Sequence, residues 1–245
     1  MPSPPRHRID RLLVERGLFD SRAKAQAAIE AGLVFADGKV VAKASETIAA
    51  DASIEASAAH PYVSRGGVKL AAALDQLGIS AKGRVCLDVG ASTGGFTQVL
   101  IERGASRVYA VDVGSGQLHD TVRAHPNVVS LEQTDIRTLS PAQLQPPPDL
   151  VVIDTSFISL KLVLPPALAL AHKPAQLIAL IKPQFEAGRA LVKRGIVRDA
   201  TVHKAVCDDI AAFVASLGWR VVGVIPSPIS GGDGNVEFLL GATRE

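Results

Sequence analysis

Two lysines and two carboxylates are the groups in this sequence best suited to move or hold a proton. Lys182 leaves the apolar run Leu177 to Ile181 and is followed by Pro183, in Ile181-Lys182-Pro183-Gln184-Phe185-Glu186. A cation there is poorly explained as a solubilising charge. Asp154 ends a second apolar run, Leu150 to Ile153. Both residues are expected at the carboxyl ends of buried strands, projecting into one crevice. Lys69 lies in Ser64-Arg65-Gly66-Gly67-Val68-Lys69-Leu70, and Glu237 in Gly234-Asn235-Val236-Glu237-Phe238. An ammonium in a water-poor site near another ammonium loses proton affinity, so Lys182 is suited to act as a general base or to orient a hydroxyl. Two structural salt bridges are the alternative for the same four residues.

A ligand-holding series accompanies them. Asp88-Val89-Gly90-Ala91-Ser92-Thr93-Gly94-Gly95-Phe96-Thr97 is a glycine turn directly after a strand. Ser92 stands where G-x-G-x-x-G needs its second glycine, which disfavours a dinucleotide enzyme. Asp112 ends the next strand, and Asp135-Ile136 follows the one after. Taken singly, Asp88 is equally explained as an acceptor of backbone N–H groups, and Asp135 as a helix cap. Three acids in series at successive strand ends argue for a bound ligand.

The elements that must position these residues read as strand then helix from Val68 onward. Apolar strands are expected at Val85–Val89, Val108–Val111, Val128–Leu131, Leu150–Ile153, Leu177–Ile181, Val221–Ile225 and Val236–Leu240. Helices are expected at Phe96–Glu102, 158–171 and 199–217. Strands buried on both faces with helical crossovers imply a doubly wound α/β sheet. The last strand arrives through a Pro/Gly loop, Pro226 to Asn235, with no room for a helix, so it should run antiparallel. Residues 6–59 differ: two short helices, the second capped by Ser21, precede a hairpin whose turn is Asp37-Gly38. This ααββ module is small and α+β. Residues 60–64 read as a linker into a domain spanning 65–245, and the first five residues as a loose tail.

With 26 Lys+Arg against 24 Asp+Glu in 245 residues, the chain is near charge balance, and 47% hydrophobic residues allow a sizeable core. Disorder and fibrous structure are excluded. Cys86 and Cys207 are too few for a disulfide framework, His60, His119, His125, His172 and His203 lack metal-ligand spacing, and a reducing cytoplasm fits best. No apolar run reaches the ~18–20 residues of a membrane span, and the charged start does not resemble a signal peptide. Between residues 6 and 24, six Arg/Lys face three acids, a modest basic patch.

The segment RIDRLLVERGLFDSRAKAQAAIEAGLVFADGK resembles the S4 RNA-binding domain. That resemblance implies docking on structured RNA, with Arg11, Arg22 and Lys24 as candidate phosphate contacts and Arg65 as a further one. D-x-G-x-x-x-G-G resembles the first motif of class I S-adenosylmethionine (SAM) methyltransferases, implying a Rossmann-like domain. Asp88, Gly90, Ser92, Thr93, Gly94, Gly95 and Phe96 would then serve the cofactor's amino-acid end, Asp112 its ribose hydroxyls, and Asp135 and Ile136 its adenine. Lys69, Asp154, Lys182 and Glu237 resemble the Lys-Asp-Lys-Glu tetrad of FtsJ-type ribose 2′-O-methyltransferases. S4 domain, SRGG-x-KL, IKPQFE and GN-x-EFL together resemble the TlyA, or hemolysin A-like, family over residues 8 to 241. The family implies methylation of a cytidine 2′-hydroxyl in ribosomal RNA, with ribosomal subunits as partners. Base methylation is disfavoured because the fourth strand ends Asp154-Thr155-Ser156-Phe157 rather than N-P-P-[YF]. A non-catalytic RNA-binding protein and a cytolysin are the other classes, the latter without any span or long cationic amphipathic helix to support it. Lys193, Arg194, Arg198 and Lys204 are either an extension of the RNA-binding face or solvated charges.

Overall fold

The computed structural model describes residues 5–231 and 234–245. The expected tail, residues 1–5, lies outside the described residues except for Pro5, whose carbonyl accepts from the N–H of Ala50. The chain divides into two compact units, Met1–Pro61 and Tyr62–Glu245.

In the first unit, β1 (Arg6–Arg8) leads into α1 (Ile9–Glu15), and α2 (Arg22–Glu30) precedes β2 (Val34–Ala36), β3 (Lys39–Val40), β4 (Thr47–Ala49) and β5 (Ile54–Ala56). Ile9, Leu12 and Leu13 of α1 recur at helical spacing and bury against Ala25, Ala28 and Ile29 of α2 and Val34 of β2. Ser21 caps α2 by accepting the Lys24 N–H at 3.3 Å. Asp37 and Gly38 both have positive φ, 47° and 73°, the twist that a two-residue hairpin needs. The ααββ expectation is extended by three short strands: β1 pairs antiparallel with β4, and β5 flanks β2 opposite β3.

The second unit contains α3 (Gly66–Leu77), β6 (Val85–Val89), α4 (Gly95–Glu102), β7 (Arg107–Val111), α5 (Asp120–Arg123), β8 (Val128–Leu131), β9 (Leu150–Ile153), α6 (Leu160–Ala169), β10 (Ala175–Ile181), α7 (Pro183–Glu186), α8 (Ala200–Ser216), β11 (Arg220–Pro226) and β12 (Phe238–Arg244). Its sheet has the order β11-β12-β10-β9-β6-β7-β8. Alternate residues of each strand feed opposite layers. Leu177, Ala179 and Ile181 pack with Leu164 of α6 and Ile210 of α8, while Ile178 and Leu180 pack with Leu70 of α3 and Leu100 of α4. β12 is antiparallel to both neighbours, β10 and β11. It begins at Phe238 rather than Val236, because Ser227 N–H bonds to Glu237 O and Gly231 N–H to Asn235 O, engaging the backbone of 235–237 outside the ladder.

This unit begins inside the segment expected as a linker. The Tyr62 ring lies over Gly67, where a Cβ would stand 2.3 Å from Tyr62 Cγ. The Val63 N–H donates to Gln98 Oε1 at 2.7 Å, and a Cβ on Gly95 would meet Ser64 Oγ at 2.1 Å. Gly67 and Gly95 thus allow α3 and α4 to approach the entering chain.

Candidate active site

The carboxyl ends of the parallel strands and the start of β12 share one edge of the sheet. Ile181 pairs with Phe238, so Lys182 and Glu237 each stand one residue beyond the same register pair. Asp154 follows Ile153, which pairs with Val89, and the Asp154 N–H donates to Val89 O at 2.9 Å. Gly90 is required here. Its φ is +85°, and a Cβ would lie 2.4 Å from Asp154 O.

The four residues form two ion pairs. Lys182 Nζ lies 2.6 Å from Asp154 Oδ1 and donates to Ser156 Oγ at 2.8 Å. Lys69, on α3, donates to Glu237 Oε2. Lys69, Lys182 and Glu237 are 7%, 8% and 3% exposed, so three of the four charges are largely withdrawn from water. Charges are kept in such places only with partners. Glu237 is also closed over by Gly231, where a Cβ would meet Glu237 Oε1 at 2.0 Å.

A cleft of about 520 Å³ opens at this edge, and Gly90, Ser92, Asp112, Asp135, Ile136 and Asp154 all line it. Asp112 accepts the Ser92 N–H at 2.8 Å and the Gly114 N–H at 2.7 Å, which aims the carboxylate. Asp135 accepts from Arg137, whose guanidinium holds its carboxyl below the usual range. Of the other residues expected around a cofactor, Thr93 and Gly94 make the turn into α4, and Gly95 begins that helix. Phe96 does not face the cleft; it is buried with Leu70, Val99 and Val152 because the helix turns it into the core. Asp88 is also behind the cleft wall. It is fully buried, its Oδ2 accepts from Thr97 Oγ1 at 2.6 Å, and its Oδ1 has no hydrogen-bond partner. Burial pushes its carboxyl up to about 7, against the hydrogen bond from Thr97.

On the first unit, Arg11 is exposed, Arg22 is bonded to buried Asp10, and Lys24 is paired with Asp20 at 2.8 Å. Asp10 also accepts both Arg8 Nε and Nη2 at 3.1 Å, so two guanidiniums are fixed side by side on one carboxylate. Arg65, on the second unit, is exposed just before α3.

Ser156 and Asn235 were not anticipated. Ser156 carries no pattern signal beyond lying two residues after Asp154. Asn235 is 4% exposed and bonds to Val197 N–H and Gly195 O, for which its place in GN-x-EFL was a clue. Among the described residues no group of three or more His, Cys, Asp or Glu could hold a metal ion. Cys86 and Cys207 are buried, and desolvation pushes both thiols up, Cys207 to about 11.

Residues 62–244 match the FtsJ-like methyltransferase model, and residues 7–54 match the S4 domain. The 16S/23S rRNA (cytidine-2′-O)-methyltransferase TlyA of Mycobacterium tuberculosis is 45% identical over 96% of this chain and 89% of its own. Hemolysin A of Brachyspira hyodysenteriae is 38% identical over 95% of this chain and 98% of its own. A solved protein of Streptococcus thermophilus that carries a hemolysin name superposes with a TM-score of 0.79 at 40% identity, covering 98% of this chain and 89% of the other. Magnesium protoporphyrin IX methyltransferase of Synechocystis, at 16% identity and a TM-score of 0.51 over 74% of this chain and 83% of its own, is similar in fold. With a nearly complete match on both sides and both domains in order, the chain belongs to the TlyA, or hemolysin A-like, family of FtsJ-like methyltransferases.

Proposed function

We propose that the protein methylates the ribose 2′-hydroxyl of cytidine in ribosomal RNA, acting on ribosomal subunits in the cytoplasm. The observation that carries this reading is the pairing of Lys182 with Asp154 at the rim of a cleft lined by Asp112 and Asp135. The relatives named rRNA (cytidine-2′-O)-methyltransferase, from Mycobacterium tuberculosis and Campylobacter jejuni, supply the substrate. Among the described residues no helix is long and apolar enough to cross a membrane, so the cytolysin reading has no spanning helix to support it.

The cleft fits SAM. Its volume falls within the roughly 300–1,000 Å³ of small-molecule sites. Asp112, aimed by two backbone N–H groups, has lone pairs left for two ribose hydroxyls, and a side chain at Gly114 would strike Gln117 Nε2 at 2.1 Å. Ile136 and Val113 offer apolar surface to a base, with Asp135 beside them as an acceptor. When bound there, SAM supplies a methyl group on a sulfonium for in-line attack by an oxygen.

The protein's residues then have to prepare that oxygen. Asp154 and Ser156 hold Lys182 Nζ so that one of its positions faces the 2′-hydroxyl. With its own proton released to solvent, the Lys182 amine takes the hydroxyl proton as the oxygen attacks, and Asp154, 2.6 Å away, holds the ammonium so formed until it returns that proton to solvent. Lys69, held by Glu237, adds positive charge near the developing alkoxide. Arg11, Arg22, Lys24 and Arg65 meet phosphates, and orientation of the docked RNA supplies several kcal/mol of the barrier.

The test uses purified full-length protein, methyl-labelled SAM and unmodified small and large subunits, with Lys182→Ala alongside. Wild-type label mapping to a cytidine ribose, reduced at least about 100-fold in Lys182→Ala with SAM binding kept, is the expected result. Full transfer by Lys182→Ala would remove that lysine from the chemistry, and SAM binding without label in either subunit would point to another acceptor.

A further inference from the structure

The segment after α7 contains a short hairpin that the proposed chemistry does not use. Lys193 N–H and O bond to Ile196 O and N–H at 3.0 and 3.1 Å, with Arg194 and Gly195 at the tip. Both tip residues have positive φ, 53° and 79°. A turn of this type favours Asn-Gly, because a long side chain in the left-handed region is strained. Arginine there is the costlier choice for folding, and what it adds is a charge at the tip.

The hairpin is also held. Asn235 Nδ2 donates to Gly195 O at 3.0 Å, and Asn235 Oδ1 accepts the Val197 N–H at 3.4 Å. His203 Nε2, from α8, lies 2.9 Å from Val197 O. Asn235 is itself pinned through its carbonyl to Gly231 N–H and stands two residues before Glu237. The backbone of the hairpin and the loop carrying Glu237 are therefore one hydrogen-bonded body. On its surface Lys193, Arg194 and Arg198 are exposed and form no ion pair among the described residues, whereas Lys204 and Lys161 nearby in sequence or fold are paired with Asp208 and Asp209. The nearest acid in sequence, Asp199, is engaged with Thr201 as the cap of α8. Three unpaired cations on a turn that is hydrogen-bonded to a loop of the active site match the sign of a phosphate backbone.

We propose that the Lys193–Arg198 hairpin is an RNA-backbone contact of the methyltransferase domain, locked by Asn235 to the loop that carries Glu237. It is separate from the S4 domain and sets the RNA relative to the catalytic residues. The inference rests on the proposed RNA substrate.

The experiment measures binding of the full-length protein to unmodified subunits and to protein-free ribosomal RNA between 50 and 300 mM salt, the range being about that in which phosphate contacts dominate. The first variant joins Lys193→Gln, Arg194→Gln and Arg198→Gln; Lys204→Gln is the control for net charge. Loss of three phosphate contacts lowers the slope of log affinity against log salt by about 2 and weakens binding about 10- to 100-fold at 100 mM, with SAM affinity unchanged and Lys204→Gln like wild type. The second variant, Arg194→Asn, puts a residue suited to the turn in place of the charge. It raises or keeps the melting temperature while weakening RNA binding, a pair of signs that a merely structural hairpin does not produce. Wild-type slope and affinity in both variants would overturn the proposal. So would weakened binding to subunits with unchanged binding to bare RNA, which would assign the hairpin to a ribosomal protein. Methylation is scored in the same samples. A wild type that neither binds nor methylates RNA would sink the proposed function, whereas a methylating wild type with variants that bind equally well sinks this inference alone.

Discussion

The ammonium of Lys182 is ion-paired with Asp154 Oδ1 at 2.6 Å, but that oxygen accepts no hydrogen bond, and the hydrogen bond that directs the amine goes to Ser156 Oγ at 2.8 Å. Ser156 therefore sets the direction of the remaining N–H groups. Ser156→Ala leaves Asp154 in place but lets the amine rotate, so kcat should fall about 10-fold with KM for SAM unchanged, and Ser156→Thr should restore most of it. Steady-state methylation of subunits at several pH values checks this. An unchanged kcat and pH profile for the alanine variant would leave Ser156 as surface. At this scale the sequence was informative wherever a residue type clashed with its surroundings. Lys182 after five apolar residues and Gly90 after a buried strand both announce a special place. Ser156 does not, because an exposed serine in a loop is compatible with any environment, and its contact with Lys182 spans 26 positions. The side chain of Phe96 faces the core rather than the cleft, because motif membership specifies the turn, not which side of α4 each residue faces.

At the scale of elements, long apolar strands were legible, as was β2 through its Asp37-Gly38 turn, but the other three-residue strands were not. β1, β4 and β5 are too short to show alternation, and Arg6–Arg8 is exposed throughout, so nothing local separates them from loop. Asp10 joins β1 to the helix pair. Buried on α1, it accepts from Arg8, the last residue of β1, and from Arg22 and Gln26 of α2. These donors hold its carboxyl well below the usual range. Asp10→Asn leaves two guanidiniums facing an amide and should cost the first unit about 2–3 kcal/mol. Hydrogen exchange is the suitable measurement: protection in α1 and α2 should fall, while unfolding of the second unit, followed by the fluorescence of buried Trp219, should be unaffected. Equal protection in the variant would show that the apolar contacts of Ile9, Leu13 and Ala28 alone hold the helices.

For the whole molecule, the alternation of strand and helix and the Pro/Gly approach to the last strand were enough to expect a doubly wound sheet with one antiparallel member. The insertion of β12 between β10 and β11 was not legible, since register across 57 positions, as between Ile181 and Phe238, leaves no local mark. The two units also place a buried carboxylate in opposite electrostatic settings, and this makes their stabilities diverge with pH. Asp10 has a folded pKa below its unfolded value, so its contribution is complete above about pH 4 and is lost on further acidification. Asp88 is raised from 3.8 to about 7 by burial, so between those values the folded protein holds a proton that the unfolded chain has released. Its contribution therefore declines as pH rises from about 4 to 7 and is level above that. Scanning calorimetry of the full chain without SAM should show the transition of the second unit moving down between pH 5 and 7 while that of the first stays put. Below pH 4 the first should fall. Asp88→Asn keeps the bond from Thr97 but cannot ionise, so it should abolish the slope between pH 5 and 7. A slope that persists in that variant, or two transitions that shift in parallel, would show that Asp88 is not the group responsible.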